Sequence, residues 1–273
     1  MTKPTKFEQT HIAMVLDRSG SMESCREATI GHVNKYLQEA RADALLKEAD
    51  FELLIFDNQS IDSVRSGAPV RVADISMEDF VPRGLTPLFD AIGRGVDSLD
   101  GKLAKSGSSK AILVIVTDGA ENASRRYNHA GIKELLKGKQ DKGWMVVFLG
   151  AGLDSAQQGI ALGVNAAYTA NISMDANSLS ETSSIMRGMT SSYASNRTGA
   201  EAKSWMAAGG GALSMSARKK MGDASGGAGL VTGKKPRFGD PGQPGFPGGF
   251  GATPPPAAKA DTFDNQGDDA WGK

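Results

Sequence analysis

One cysteine, Cys25, is all the thiol chemistry in this chain of 273 residues, which excludes an internal disulfide framework and a cysteine-built zinc site and fits a reducing compartment. Net charge is missing as well. Lys and Arg number 31 and Asp and Glu number 31, so no chain-wide field commits the protein to nucleic acid or to an anionic membrane. Long apolar runs are lacking: the longest lie near Ile112–Val116 and Met145–Leu149, far below the ~18 residues of a membrane-spanning helix. The start, Met1–Gln9, is polar and has no apolar signal core. The expectation is a soluble, unsecreted, cytoplasmic protein. Aromatic residues make up only 6% while glycine reaches 34 residues, against a usual share of roughly 7%, so part of the chain is expected never to join a core.

Between Phe7 and about Ile172, apolar runs of strand length alternate with helical periods. This predicts an α/β domain, a doubly wound and mostly parallel sheet with helices on both faces. Ile12–Leu16, Phe51–Phe56, Ile112–Val116 and Met145–Leu149 are almost continuously apolar, as strands covered on both sides must be. Ala166–Ala170 would close one edge. Ile61–Arg65 with Val70–Val72, set about Ser66-Gly67-Ala68-Pro69, would form a hairpin at the other. Ile30, Val33, Leu37, Ala40 and Ala44 mark one helix face, opened by a capping box of Ser24 and Glu27. Leu88, Ile92, Val96, Leu99 and Leu103 mark a second, with Thr86 as N-cap and Pro87 at the first helical position. A third helix carries Ile132, Leu135 and Leu136, and a fourth spans Ser155–Leu162. Residues 173–206 form a Ser-rich extension with a thin helical stripe of Leu179, Met186, Met189 and Tyr193. From Ala207 to Lys273, Gly, Pro, Ala and Ser dominate, which predicts a flexible tail. Gly-led triplets beginning at Gly239 have collagen period but are too few for a triple helix.

Two of the buried strands end in aspartate followed by a turn: Leu16-Asp17-Arg18-Ser19-Gly20-Ser21 and Val116-Thr117-Asp118-Gly119. In open parallel sheets, ligands sit beyond the carboxyl ends of the strands, where the strand order reverses. As neighbours at that point, the two strands would bring their carboxylates together. Asp17, Ser19 and Ser21 alternate along one loop and can aim three oxygens at one point, while Thr86 ends a third loop. Two carboxylates and three hydroxyls, with neither His nor Cys, form an oxygen-only set that selects Mg²⁺ or Mn²⁺ over zinc or copper. Singly, each has a plainer role: Asp17 in an Asx-turn, and Ser21, Ser24 or Thr86 as helix caps. Their coincidence in three separate loops favours the metal.

These residues resemble the metal-ion-dependent adhesion site of von Willebrand factor A domains: Asp17-x-Ser19-x-Ser21, Thr86 within Pro82-Arg83-Gly84-Leu85-Thr86-Pro87-Leu88, and Thr117-Asp118-Gly119. Asp17-Arg18-Ser19-Gly20-Ser21-Met22, Asp90-Ala91-Ile92-Gly93, the stretch from Thr117 to Ser124 and Phe148-Leu149-Gly150-Ala151 look like a subgroup of such domains in bacteria and their phages. The resemblance covers roughly Phe7 to Leu162, and at most to Ile172. It implies that Ser19, Ser21 and Thr86 contact a metal directly or nearly so, that Asp17 and Asp118 act largely through coordinated water, and that a protein partner's Asp or Glu takes the open position. A non-enzymatic, monomeric binding module follows, with neither nucleic acid nor membrane as partner. A structural or assembly protein of a phage particle, in host cytoplasm or virion, and an adaptor for a AAA+ ATPase are the alternatives.

A Mg²⁺-dependent phosphohydrolase also sets aspartates at strand ends. Haloacid-dehalogenase-like phosphatases carry D-x-D, however, and Ser19 stands where the general acid would be. Cys25, in the first helical turn, suits either a lowered thiol pKa or simple burial, the commoner case. His11 begins a strand at the far end of the sheet, His32 lies within a helix and His129 reads as surface loop. Glu121, Asn122, Arg125 and Arg126 either rim the site, where the arginines could pair with a partner's carboxylates, or form an ordinary solvated loop, the two readings having equal weight. Arg218-Lys219-Lys220 and Lys234-Lys235-x-Arg237 lack interleaved aromatics and read as soluble tail.

Overall fold

In the computed structural model, which describes residues 7–152 and 155–223, the continuous apolar runs become the inner strands of one six-stranded sheet. The strands are β1 (His11–Asp17), β2 (Asp50–Phe56), β3 (Ile61–Gly67), β4 (Ala111–Thr117), β5 (Met145–Ala151) and β6 (Thr169–Ile172). Their order is β3-β2-β1-β4-β5-β6. All pairs are parallel except β2 with β3. The chain works outward from β1 in both directions, so the order reverses between β1 and β4.

Helices α1 (Arg26–Ala42), α2 (Leu88–Ser106), α3 (His129–Asp141), α4 (Ser155–Ala161), α5 (Ala176–Ala194), α6 (Gly199–Ala207) and α7 (Met215–Lys220) complete the described elements. Strand side chains alternate between faces, and here both faces are buried. Met14, Leu16, Leu53, Val114 and Val147 join one core with Val33, Leu37, Leu179, Met186 and Tyr193 of α1 and α5. Val15, Leu54, Leu113, Ile115 and Phe148 join the other with Leu88, Ile92, Val96, Ile132 and Leu136 of α2 and α3. That double coverage is why these strands carry no polar alternation. Among the described residues, no helix is long and apolar enough to cross a membrane.

Several local expectations are corrected. Ser24 and Glu27 form no capping box: a 3₁₀ turn over Gly20–Cys25 leads straight into α1, Cys25 takes the cap position, and Ser24 Oγ bonds Ser21 O instead. The helix ends at Ala42, because Asp43 accepts from the Leu45 N–H and turns the chain, so Ala44 lies outside it. Val70–Val72 is no strand. It is a turn closed on the Ala68 carbonyl, pinned by Arg41 to the carbonyls of Pro69 and Val72, and β3 pairs with β2. Thr86 does not cap α2, whose cap position is Pro87. The edge strand starts late because Asn165 caps a 3₁₀ turn over Ala166–Tyr168.

The largest correction concerns the tail boundary at Ala207. Folded chain continues to Asp223: Leu213 and Met221 are buried, and Arg218, expected in the tail, is 3% exposed. Its guanidinium donates to the carbonyls of Ala166 and Thr169, and Ser173 N–H bonds Met221 O at 2.9 Å. The Ser-rich extension is likewise core, since Tyr36 OH donates to Thr190 and Tyr193 OH donates to Gly143 O. The Gly-led triplets and Lys234-Lys235-x-Arg237 lie outside the described residues. Ending the chain after Ala207 should therefore cost stability. With Leu and Met side chains each contributing about 1.5–3 kcal/mol on burial, urea unfolding should show a loss of at least about 3 kcal/mol relative to the full chain, and an unchanged midpoint would contradict this packing.

Candidate metal site

The reversal between β1 and β4 places Asp17, the last residue of β1, beside Thr117, the last of β4. Asp17 is fully buried. Its Oδ1 accepts the Ser19 N–H at 2.7 Å, and its Oδ2 accepts the Thr117 hydroxyl at 2.6 Å. The first contact is the Asx-turn weighed from sequence. It forms, and it aims the serines rather than competing with them. Ser19 Oγ and Ser21 Oγ lie 3.1 Å apart, and Ser21 Oγ donates to Asp118 Oδ1 at 2.8 Å.

Thr86 closes the group from the third loop. A Cβ on Gly119 would sit 3.0 Å from Thr86 Oγ1 and 3.6 Å from Asp17 Oδ2, so the hydroxyl and the carboxylate flank one point beside Gly119. All five residues nominated from the sequence thus converge. Thr86 is free of capping duty because Glu121 and Ser124 satisfy α2: Phe89 N–H donates to Glu121 Oε2 at 2.9 Å and Asp90 N–H to Ser124 Oγ at 3.1 Å.

Two neighbours expected on the rim turn out to be braces. Asn122 holds Thr86 from both sides, accepting its N–H at 2.8 Å and donating its own N–H to the Thr86 carbonyl at 3.1 Å. Glu121 also accepts the Ala123 and Ser124 N–H groups. Arg125 and Arg126 are exposed, with their backbone N–H groups on Asp90. The side chain of Arg18 leaves the loop for Asp57, Ser60 and Asp62, contacts that sequence reasoning missed. Cys25 is buried, and that burial pushes its thiol up, away from a reactive thiolate.

The electrostatics are one-sided. Burial raises the Asp17 carboxyl to about 6, against hydrogen bonds from Thr117 and Ser19 that lower it, and the Asp118 charge raises it further. Burial raises Asp118 as well. Among the described residues no ion pair involves either carboxylate, and no group of three or more His, Cys, Asp or Glu side chains converges. Two desolvated carboxylates with three hydroxyls and no nitrogen or sulfur donor are chemistry that fits a hard divalent cation.

No family model matches the sequence, and no curated protein matches it. Solved structures do. The pilus adhesin SpaC from Lactobacillus rhamnosus GG, in its open conformation, aligns with 68% of this chain at 15% identity and a TM-score of 0.54, covering 30% of that protein. Proximal thread matrix protein 1 from the mussel byssus, with a zinc-occupied MIDAS motif, aligns with 67% at 16% identity and a TM-score of 0.50, covering 47% of that protein. The chain thus spans between about a third and a half of these proteins, and the likeness supports the von Willebrand A-like fold.

The Asp17 shift has a thermodynamic signature. Its folded value of about 6 exceeds its ordinary 3.8, so between these values the folded state binds more protons and stability falls as pH rises through 6. His32, lowered by burial to about 4 from 6.5, works oppositely: the unfolded state binds more protons there and stability rises with pH. The two cancel in a raw profile, so the comparison must be with a variant. In chelator, the stability of Asp17→Asn relative to wild type should rise by about 1.4 kcal/mol between pH 5 and pH 7.5, as read by urea unfolding. A gain independent of pH would contradict the assignment.

Proposed function

We propose that this protein is a binding module whose five converging residues, Asp17, Ser19, Ser21, Thr86 and Asp118, hold one Mg²⁺ or Mn²⁺ and take a carboxylate from a protein partner. The observation that carries this reading is the meeting, from three loops far apart in sequence, of three hydroxyls with two carboxylates that have no cationic partner among the described residues. When bound, the cation supplies a Lewis-acidic position for an oxygen ligand.

The chain's own residues do the rest. Thr117 and the Ser19 N–H hold Asp17 in one orientation. Asn122 fixes the backbone of Thr86. Hydroxyls make up three of the five groups, so few anionic oxygens would touch a bound cation and its positive charge would stay available to a carboxylate. The mussel thread protein, which carries a zinc-occupied MIDAS motif, and the pilus adhesin lend support as proteins of like fold.

Binding without turnover is the reading because the candidate proton carriers are engaged elsewhere. His11 contacts Asp50 and Ser106, His32 contacts Leu179 and Ser183, and His129 packs edge-on against Phe89. The Thr117 hydroxyl, which also reaches the group, donates to Asp17, and we read it as holding that carboxylate.

Calorimetric titration with Mn²⁺ tests the reading. One equivalent should bind wild type, while Asp17→Ala and Asp118→Ala should show no detectable binding and an unchanged far-UV circular dichroism spectrum. Capture of an acidic-segment partner should vanish in EDTA and in Thr86→Ala. Retained Mn²⁺ affinity in both aspartate variants would remove the proposal, and metal-dependent phosphate-ester hydrolysis lost in Asp17→Ala would replace it with an enzyme.

A further inference from the structure

The residue inside the Asp17-x-Ser19 motif is spent on a second cluster. Arg18 is 6% exposed. Its Nε donates to Asp57 Oδ2 at 2.9 Å, and its Nη2 donates to Ser60 Oγ at 2.9 Å and Asp62 Oδ2 at 3.0 Å. Asp57, the residue after β2, has a fully buried side chain and binds a second arginine, accepting Arg83 Nε at 2.9 Å. Its other oxygen accepts the N–H groups of Gln59 and Ser60 at 2.7 and 3.1 Å.

Arg83 stands three residues before Thr86, and the stretch between is stitched to the same place. Arg83 N–H donates to Arg18 O at 2.9 Å, Gly20 N–H to Gly84 O at 3.2 Å, and Leu85 N–H to Asn58 Oδ1 at 2.9 Å. Gly84 has φ +67°, and a Cβ there would lie 1.9 Å from Asn58 Oδ1, so only glycine permits this approach. One buried carboxylate therefore joins the loop carrying Asp17, Ser19 and Ser21 to the loop carrying Thr86.

We propose that Asp57, through Arg18 and Arg83, is a positioning residue that sets the Thr86 hydroxyl against Asp17 and the two serines. The inference rests on the metal reading of those residues. It also has a sign of its own. Loss of a positive charge from beside a dication should, by Coulomb's law alone, tighten metal binding. Loss of a positioning contact should weaken it.

Arg83→Gln in the full chain is the variant of choice. The Arg83 side chain is 42% exposed, and its removal leaves Asp57 paired with Arg18, whereas Asp57→Asn leaves buried Arg18 without its main partner and can fail to fold. Mn²⁺ affinity should fall about 10- to 100-fold in Arg83→Gln, the usual cost of losing a group behind a metal ligand. Arg83→Lys, which keeps a donor for Asp57, should recover most of it. Without metal, amide hydrogen exchange over residues 82–88 should quicken in Arg83→Gln while β1 and β4 stay protected. Affinity equal to or tighter than wild type, or an affinity loss with unchanged exchange over that loop, would overturn the inference alone. A wild-type protein that takes up no Mn²⁺ would overturn the metal reading and this inference with it.

Discussion

Asp17 ends β1 and Asp118 follows the last residue of the parallel neighbour β4, and among the described residues no cationic side chain pairs with either. The charges in the surrounding loops are disposed so as to leave that pair alone. Arg18, adjacent in sequence to Asp17, is drawn off by Asp57 and Asp62, and Arg83 is drawn off by Asp57. Burial raises both carboxyls. Left without a cation, such a pair is a local cost to the fold. In the proposed reading, a divalent ion would convert that cost into affinity by supplying the counter-charge.

The scaffold makes this arrangement rigid. Strands buried on both faces cannot shift register without moving an entire side-chain set out of its core, so the relative heights of Asp17 and Thr117 are fixed by packing far from the site. Polar side chains then tie the loops to that frame, with Asn122 on Thr86, Glu121 and Ser124 on the start of α2, and Asp90 on the N–H groups of Arg125, Arg126 and Tyr127. The segment carrying Thr86 is held from the β2 side by Asp57 and Asn58 and from the β4 side by Asn122.

The inner strands and the five converging residues were legible because each rests on a strong local signal: continuous apolar runs, and Asp, Ser and Thr placed where such runs stop. The braces were not. Asp57 and Arg83 are 26 residues apart, and Asn122 and Thr86 are 36 apart; nothing local distinguishes them from any solvated Asp, Arg or Asn until the strand order brings them together. The cap expected at Ser24 failed because a 3₁₀ turn competes with it, an outcome set by how the loop folds onto the site. The tail boundary was misplaced for a third reason. Arg218 reads as solvated charge, yet it is buried as the donor to carbonyls at the β6 edge, and a basic residue used in this way leaves no hydropathic trace.

The central claim is that the chain withholds a counter-charge at one point so that a metal can supply it. Anomalous diffraction from a crystal of the full chain equilibrated with Mn²⁺ tests this most directly, since it locates the ion independently of any binding curve. The account predicts one peak among the oxygens of Asp17, Ser19, Ser21, Thr86 and Asp118, absent in a crystal of Asp118→Ala. A Mn²⁺-saturated crystal with no peak there, or with its ion bound elsewhere, would contradict it.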